Sequence, residues 1–139
     1  MGQFEQLAKI KNHKVDELRR ELEKINSAIA QKESVREGLN GEFLSLKTPQ
    51  TGGAADLLNF STNKAIYRRE IEAVSREIFE LHRAAFQVRF RLKNALVEYE
   101  KINHLDREER AQIALAASGA EAKRLDDIAV NGRYILGRK

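Results

Sequence analysis

The chain has 139 residues, of which 33% are charged and 6% are aromatic, and it contains no cysteine. This composition excludes disulfides and thiolate metal sites, and the absence of any run of about 18 apolar residues excludes a transmembrane helix. The net charge of +4, with both signs interspersed, permits an acidic partner, and a start without an apolar signal core leads us to expect a cytoplasmic protein.

A heptad pattern runs through the first part of the chain and predicts a helix over about 3–46. Positions that are alternately four and three residues apart form a seam, and ten of its thirteen residues are apolar. A hydrophobic period of about 3.5 residues held over this length is typical of helices that bury a narrow stripe against one another. The seam residues are Phe4, Ala8, Lys11, Val15, Leu18, Leu22, Ile25, Ile29, Lys32, Arg36, Leu39, Phe43 and Leu46.

A turn signal follows and predicts a loop over about 47–56. It contains Pro49 and the pair Gly52-Gly53, and both residue types oppose continuation of a helix. A second helix is predicted from about 57 to 118 or beyond, with a basic C-terminal tail over about 131–139. Two helices joined by a short loop pack antiparallel most easily.

The second helix repeats the seam, with thirteen apolar residues among fifteen positions. The seam turns acidic at Asp106 and Glu109, opposite the start of the first helix. Residues from about 106 to 139 are therefore expected to overhang the hairpin and to fray unless another protein holds them. We predict an all-α fold: one domain over 1–139, a long antiparallel two-helix coiled-coil hairpin with a C-terminal overhang. The seam residues are Tyr67, Ile71, Val74, Ile78, Leu81, Ala85, Val88, Leu92, Ala95, Tyr99, Ile102, Asp106, Glu109, Ile113 and Ala116.

The basic residues within the first seam indicate the register of the two helices. If paired residues have numbers that sum to about 108, each basic seam residue meets an acidic one, as flanking ion pairs of a coiled coil require. The predicted pairs are Lys11 with Glu98 and Glu100, Lys32 with Glu77, and Arg36 with Glu70 and Glu72.

The second helix carries a further stripe, nearly opposite its seam. Its apolar members are seven, four and seven residues apart, and basic residues lie between them. Exposed clusters of aromatic and basic side chains have the composition of interface hot spots. A partner protein, a second copy of the chain, or the C-terminal segment folded back are the candidate covers. This aromatic–cationic stripe consists of Arg76, Phe79, Arg83, Phe86, Phe90, Lys93 and Val97.

No pattern of catalysis or cofactor binding occurs in the sequence. His13, His82 and His104 are scattered without metal-ligand spacing, and no serine lies in a nucleophile motif. Carboxylates on solvated helix faces lack the burial that tunes catalytic groups. We therefore expect no enzyme activity, no catalytic residues, no metal and no cofactor.

Two other functions are compatible with these residues. A coiled-coil scaffold would self-associate through the aromatic–cationic stripe, and light scattering would then detect a dimer. A basic helical nucleic-acid-binding protein would use the arginines at 19, 20, 68, 69, 89 and 91. Acidic residues lie between most of these arginines and no recognition motif is present, so we expect no salt-dependent binding of duplex DNA.

Five short segments resemble the FliJ family of flagellar export proteins. They are FEQLAKIK at 4–11, VDEL at 15–18, LLNF at 57–60, IYRREI at 66–71 and LDDIA at 125–129. The likeness extends over nearly the whole chain, including its length and its central turn. The stalk proteins of virulence type III secretion systems are similar as well.

The resemblance implies a non-enzymatic component of a flagellar type III export apparatus, peripheral to the membrane, not inserted in it, and monomeric when isolated. By its likeness to the stalk of rotary ATPases, the hairpin would couple the export ATPase hexamer to the cytoplasmic domain of the membrane export gate. Members are also described as escorting export chaperones, and nucleic acid is not an implied partner. The gate would contact the aromatic–cationic stripe. The ATPase ring would contact the helix termini at Phe4, Leu7, Arg124, Leu125, Ile128, Arg133 and Tyr134.

Overall fold

Two long helices form the protein in a computed structural model that describes residues 2–50 and 52–137, with side chains described as far as Gly132. Helix α1 comprises Gln3–Ser45 and helix α2 comprises Ala54–Gly137. They pack against each other as an antiparallel hairpin, and the described residues contain no strand. The all-α hairpin that the heptad pattern predicts is therefore confirmed.

The linker ends α1 with a tightened turn and restarts the helix at glycine. The amide of Leu46 donates to the carbonyl of Phe43 at 3.3 Å, a bond that closes one turn of 3₁₀ type. Gly52 has a φ of 139°, a conformation that residues with a Cβ rarely adopt. The carbonyl of Gly53 then accepts the amide of Asp56 at 3.2 Å in the first turn of α2.

The described residues form two compact units. The terminal unit contains α1 up to Val15 and α2 from Ala95 onward. The linker unit contains α1 from Asp16, the linker, and α2 up to Asn94.

The linker unit buries the seams of both helices. Every predicted seam position within it is buried or half-buried. Lys32 Nζ lies 2.7 Å from Glu77 Oε2, as the register predicts. Arg36, in contrast, forms no ion pair with Glu70 or Glu72 in the described part of the chain. The most deeply buried side chains are Leu18, Ile29, Ile78, Ala85 and Val88.

The terminal unit continues the same packing over a shorter stretch. Ala8 and Val15 are buried, and Lys11 Nζ donates to Glu98 Oε2 at 2.9 Å, again as predicted. The hydrogen bond and the positive charge of Lys11 lower the pKa of the Glu98 carboxyl. Seam burial ends at Glu109, which is half-buried.

The overhang begins later than the sequence indicates. Residues from about 106 were expected to extend beyond the hairpin, yet Asp106 is only 5% exposed and Glu109 is half-buried. The Glu109 carboxylate accepts a hydrogen bond from the amide of Gln3 at the start of α1, where free backbone N–H groups favour negative charge. The residues with no packing partner are 111–132, all of which are exposed, and α2 remains helical through Gly137. Neither helix contains, within the described residues, a segment long and apolar enough to cross a membrane.

Candidate partner-binding surfaces

The aromatic–cationic stripe leaves three phenylalanine rings open to solvent. Phe79, Phe86 and Phe90 are 63%, 69% and 60% exposed. Their sequence neighbours Ile78 and Ala85 are buried in the seam. Because successive residues of a helix point about 100° apart, the heptad that buries one face of α2 turns the other face outward. The phenylalanines are therefore available to a partner.

The basic members of the stripe are also exposed. Arg83 NH1 lies 3.6 Å from Glu80 Oε1 within the same helix, a solvated pair that contributes little. Arg76 and Lys93 form no ion pair in the described part of the chain. Residues 81–94 include no aspartate or glutamate, so every charged side chain in this part of α2 is basic. The stripe therefore offers cations that an acidic partner can neutralise.

Val97 lies in the terminal unit, where it is 46% exposed. The C-terminal segment does not fold back, because α2 runs as one helix through Gly137 without a turn. The candidate covers that remain are another protein and a second copy of the chain.

The candidate ATPase contacts that the structure describes fall into two groups, one on each helix. Phe4 is half-buried near the start of α1, and Leu7 is 36% exposed. Arg124, Leu125 and Ile128 lie on the overhang, and the last two expose 56% and 59%. The side chains of Arg133 and Tyr134 lie outside the described residues.

The spacing between these two groups follows from the contacts at the start of α1. Arg110 NH2 lies 3.5 Å from Glu5 Oε1, so residue 110 marks the level of the first turn of α1. Arg124 is 14 residues further along α2, roughly 21 Å at 1.5 Å per residue. Any surface on the overhang is therefore built by α2 alone.

Glu109 caps the start of α1, a role that the sequence does not reveal, and Asp106 lies one seam position before it. The amide of Gln3 donates to Glu109 Oε1 at 2.6 Å, and Arg110 Nε lies 3.3 Å from Asp106 Oδ2. The second oxygen of each carboxylate, Asp106 Oδ1 and Glu109 Oε2, is buried without a hydrogen-bond partner in the described residues. The sequence feature that could have revealed the cap is the pair of acids at consecutive seam positions, Asp106 and Glu109. Such a pair is compatible with a helix cap as well as with the end of an apolar seam.

A cluster of aromatic and charged residues lies near the linker. Lys64 Nζ is 5.7 Å from the ring centre of Phe43 and 5.2 Å from that of Phe60, and Arg68 also lies over Phe43 at 5.7 Å. Such cation–π contacts stabilise partly exposed rings. Nearby, the Glu42 carboxylate accepts a hydrogen bond from Tyr67 and raises the pKa of that phenol. This cluster closes the seam at the linker.

The described residues contain no cluster of metal-ligand side chains, and they form a groove beside the stripe. No group of three or more His, Asp or Glu side chains among them could hold a metal ion. A groove of about 580 Å³ adjoins one end of the stripe and is lined by Lys32, Arg76, Glu77, Glu80 and Leu81. The groove is open to solvent.

The fold is a helical hairpin, and its exposed helix faces are the candidate partner-binding surfaces. The family model described as "Flagellar FliJ protein" matches residues 1–134, nearly the whole chain. The chain belongs to this family, which is a family of non-enzymatic proteins. It is therefore a component of flagellar type III protein export. Comparisons with curated proteins and with solved structures gave no match.

Proposed function

We propose that this protein is a cytoplasmic coupling factor that binds both the export ATPase and the membrane export gate and has no catalytic activity of its own. The observation that carries the proposal is the exposed aromatic–cationic stripe. Three phenylalanines that are each at least 60% exposed are unusual on a helix whose other face is already packed. Membership in an export family supplies the class of partner.

The gate contact is proposed for the six stripe residues of the linker unit, from Arg76 to Lys93. Aromatic and arginine side chains are the commonest energetic anchors of protein interfaces. The rings provide apolar area, and the neighbouring cations provide attraction to an acidic surface on the cytoplasmic domain of the gate. Val97 is retained as a candidate contact in the terminal unit.

The ATPase contact is proposed for the terminal unit. Leu125 and Ile128 lie four turns or more beyond Arg110, on a helix segment with no packing partner among the described residues. Arg124 adds a positive charge beside them. A long helix exposed on all sides requires contacts from another protein to bury its apolar residues. Leu7, Phe4, Arg133 and Tyr134 are proposed to contribute to the same contact.

Coupling requires that each partner distinguish between states of the protein or of its assembly. Two binding sites exchange free energy when the ligands have different affinities for the states that the linking element adopts. Helix α2 contributes residues to both proposed contacts. Nucleotide-dependent contacts at the ATPase would therefore alter the affinity for the gate.

Paired substitutions test the gate contact. We expect Phe86→Ser combined with Phe90→Ser to leave helicity and thermal midpoint unchanged but to abolish capture of the purified cytoplasmic domain of the gate. A matched control is Leu44→Ser with Leu57→Ser, which replaces residues that are 81% and 54% exposed on other parts of the linker unit. The control should retain capture. Loss of capture in both variants, or in neither, would contradict the proposed contact.

A second pair separates the ATPase contact from the gate contact. We expect Leu125→Ser with Ile128→Ser to lose binding to the ATPase hexamer while it keeps binding to the gate domain. Each pair should reduce motility in a strain that carries the variant as its only copy. If Leu125→Ser with Ile128→Ser instead abolishes capture of the gate domain, the assignments of the two surfaces are wrong.

Escort of export chaperones is a second activity that the family membership suggests. We propose that chaperones use the same stripe, because its three phenylalanines are each at least 60% exposed and lie beside basic side chains. A purified chaperone should then compete with the gate domain for the wild-type protein. Simultaneous binding of both would contradict a shared surface.

A further inference from the structure

The six stripe residues from Arg76 to Lys93 have the spacing of a helix-packing seam. They are separated by three, four, three, four and three residues, the rhythm of the a and d positions of a coiled coil. Polar residues bound the row on both sides: Glu80 and Gln87 on one flank, and His82 and Arg89 on the other. A row this narrow matches the contact surface of one helix, because a sheet or a globular face would need a wider apolar area.

The hairpin itself shows how a basic residue in such a seam is accommodated. Lys32 occupies a seam position of α1 in the linker unit, and Glu77 of the facing helix lies 2.7 Å from its amine. In the terminal unit, Lys11 occupies another seam position and is met by Glu98 at 2.9 Å. In each unit the cation of one helix is therefore neutralised by a glutamate of the helix packed against it. Basic residues in a second seam call for acids on the helix that covers it.

The charge of the stripe disfavours a second copy of the chain as that helix. Between residues 76 and 93, α2 carries five lysine or arginine residues and two glutamates, a net charge of +3. One of those acids, Glu77, is already paired with Lys32. Two copies packed stripe to stripe would bring arginines and lysines together without enough acids to neutralise them.

We infer that the stripe binds an acidic amphipathic helix of a partner protein and forms a three-helix coiled coil with the linker unit. Apolar residues of that helix pack between Phe79, Phe86 and Phe90, and its carboxylates contact Arg76, Arg83 and Lys93. The contact covers about two and a half heptads, roughly 26 Å at 1.5 Å per residue. The inference rests on the proposed function in one respect only, which is that the stripe is a docking surface.

Binding of two synthetic peptides to the full-length protein tests this inference. Both peptides have about 21 residues, with leucine at positions a and d; one has glutamate at e and g, and the other has lysine there. Isothermal titration at low and at physiological salt measures their affinities. We expect the acidic peptide to bind with one-to-one stoichiometry and to weaken as salt rises, because part of the attraction is between charges. The basic peptide should bind at least tenfold more weakly.

Two variants of the protein locate the binding. Phe86→Ser with Phe90→Ser should lower the affinity for the acidic peptide by about a hundredfold, as expected when two anchor residues are removed. Arg83→Glu with Lys93→Glu should lower the affinity for the acidic peptide at least tenfold and raise the affinity for the basic peptide. Circular dichroism checks that both variants remain fully helical. Unfolding cannot increase the affinity for the basic peptide. A gain in this variant would therefore show that the charges of the stripe contact the peptide.

Several results would overturn the inference. Equal affinity for the two peptides would do so, as would wild-type affinity in both variants. Stripe-dependent dimers at tens of micromolar would identify a second copy as the occupant. Stripe-dependent flotation with phosphatidylserine vesicles, without peptide binding, would identify a membrane. If binding of the gate domain requires the stripe but the acidic peptide does not bind, the proposed function stands. The inference that an acidic helix occupies the stripe is then wrong.

Discussion

Replacing two adjacent residues of α2, Ile78 and Phe79, measures the difference between its two faces. Ile78 is 5% exposed and Phe79 is 63% exposed. Truncation of a buried isoleucine to alanine costs about 2–5 kcal/mol through lost transfer free energy and the remaining cavity. A seam between only two helices can close partly around the gap, so we expect about 2–3 kcal/mol for Ile78→Ala.

Phe79→Ala should cost much less, although it removes the larger side chain. Only about a third of the ring is shielded, which reduces the usual loss of about 3–5 kcal/mol for a buried phenylalanine to about 1 kcal/mol. Alanine also favours the helix by about 0.5 kcal/mol over phenylalanine. The net loss is then about 0.5 kcal/mol, so the two variants differ by about 2 kcal/mol.

Urea unfolding followed by far-UV circular dichroism measures this difference. With a slope of about 2 kcal/mol per molar urea, the midpoint of Ile78→Ala should fall by about 1 M or slightly more, and that of Phe79→Ala by about 0.3 M. Similar losses in the two variants would refute the assignment of Phe79 to an open face. The aromatic–cationic stripe would then belong to a packed core, and the proposed gate contact would lose its basis.

Three further predictions concern the terminal unit. Glu109→Ala should lower stability by about 1 kcal/mol in urea unfolding, since it removes the acceptor of the first α1 amide; an unchanged midpoint would contradict the cap. Lys11 lowers the pKa of Glu98, so this pair stabilises the fold above the ordinary carboxyl value of 4.5 and ceases to do so as pH falls below it. The urea midpoints of the wild type and Glu98→Gln should therefore converge as the pH falls through the lowered pKa of Glu98, and a constant difference would be the contrary result. Limited trypsin digestion should cut first on the overhang, after Lys123 or Arg124; earlier cuts within α1 would show that the overhang is protected.

The sequence determines which residues share a face of each helix. The heptad period places Leu18, Ile29, Ile78 and Val88 in the seam, and all four are buried. It also predicts the contact of Lys32 with Glu77. These features are predictable because the 3.6-residue turn of a helix is a local property, and residues three and four apart must lie on one side.

Only the tertiary structure decides which faces are covered and how far the seam extends. Periodicity identifies the row of Phe79, Phe86 and Phe90 as one face, but its exposure depends on how many helices pack around α2. Asp106 and Glu109 interrupt the apolar pattern, so the sequence places the end of the hairpin there. At the start of α1 the amide of Gln3 donates a hydrogen bond to the Glu109 carboxylate, whose negative charge the N-terminus of that helix favours. The extent of the packed seam is therefore set by where the partner helix begins, which no local pattern in α2 encodes.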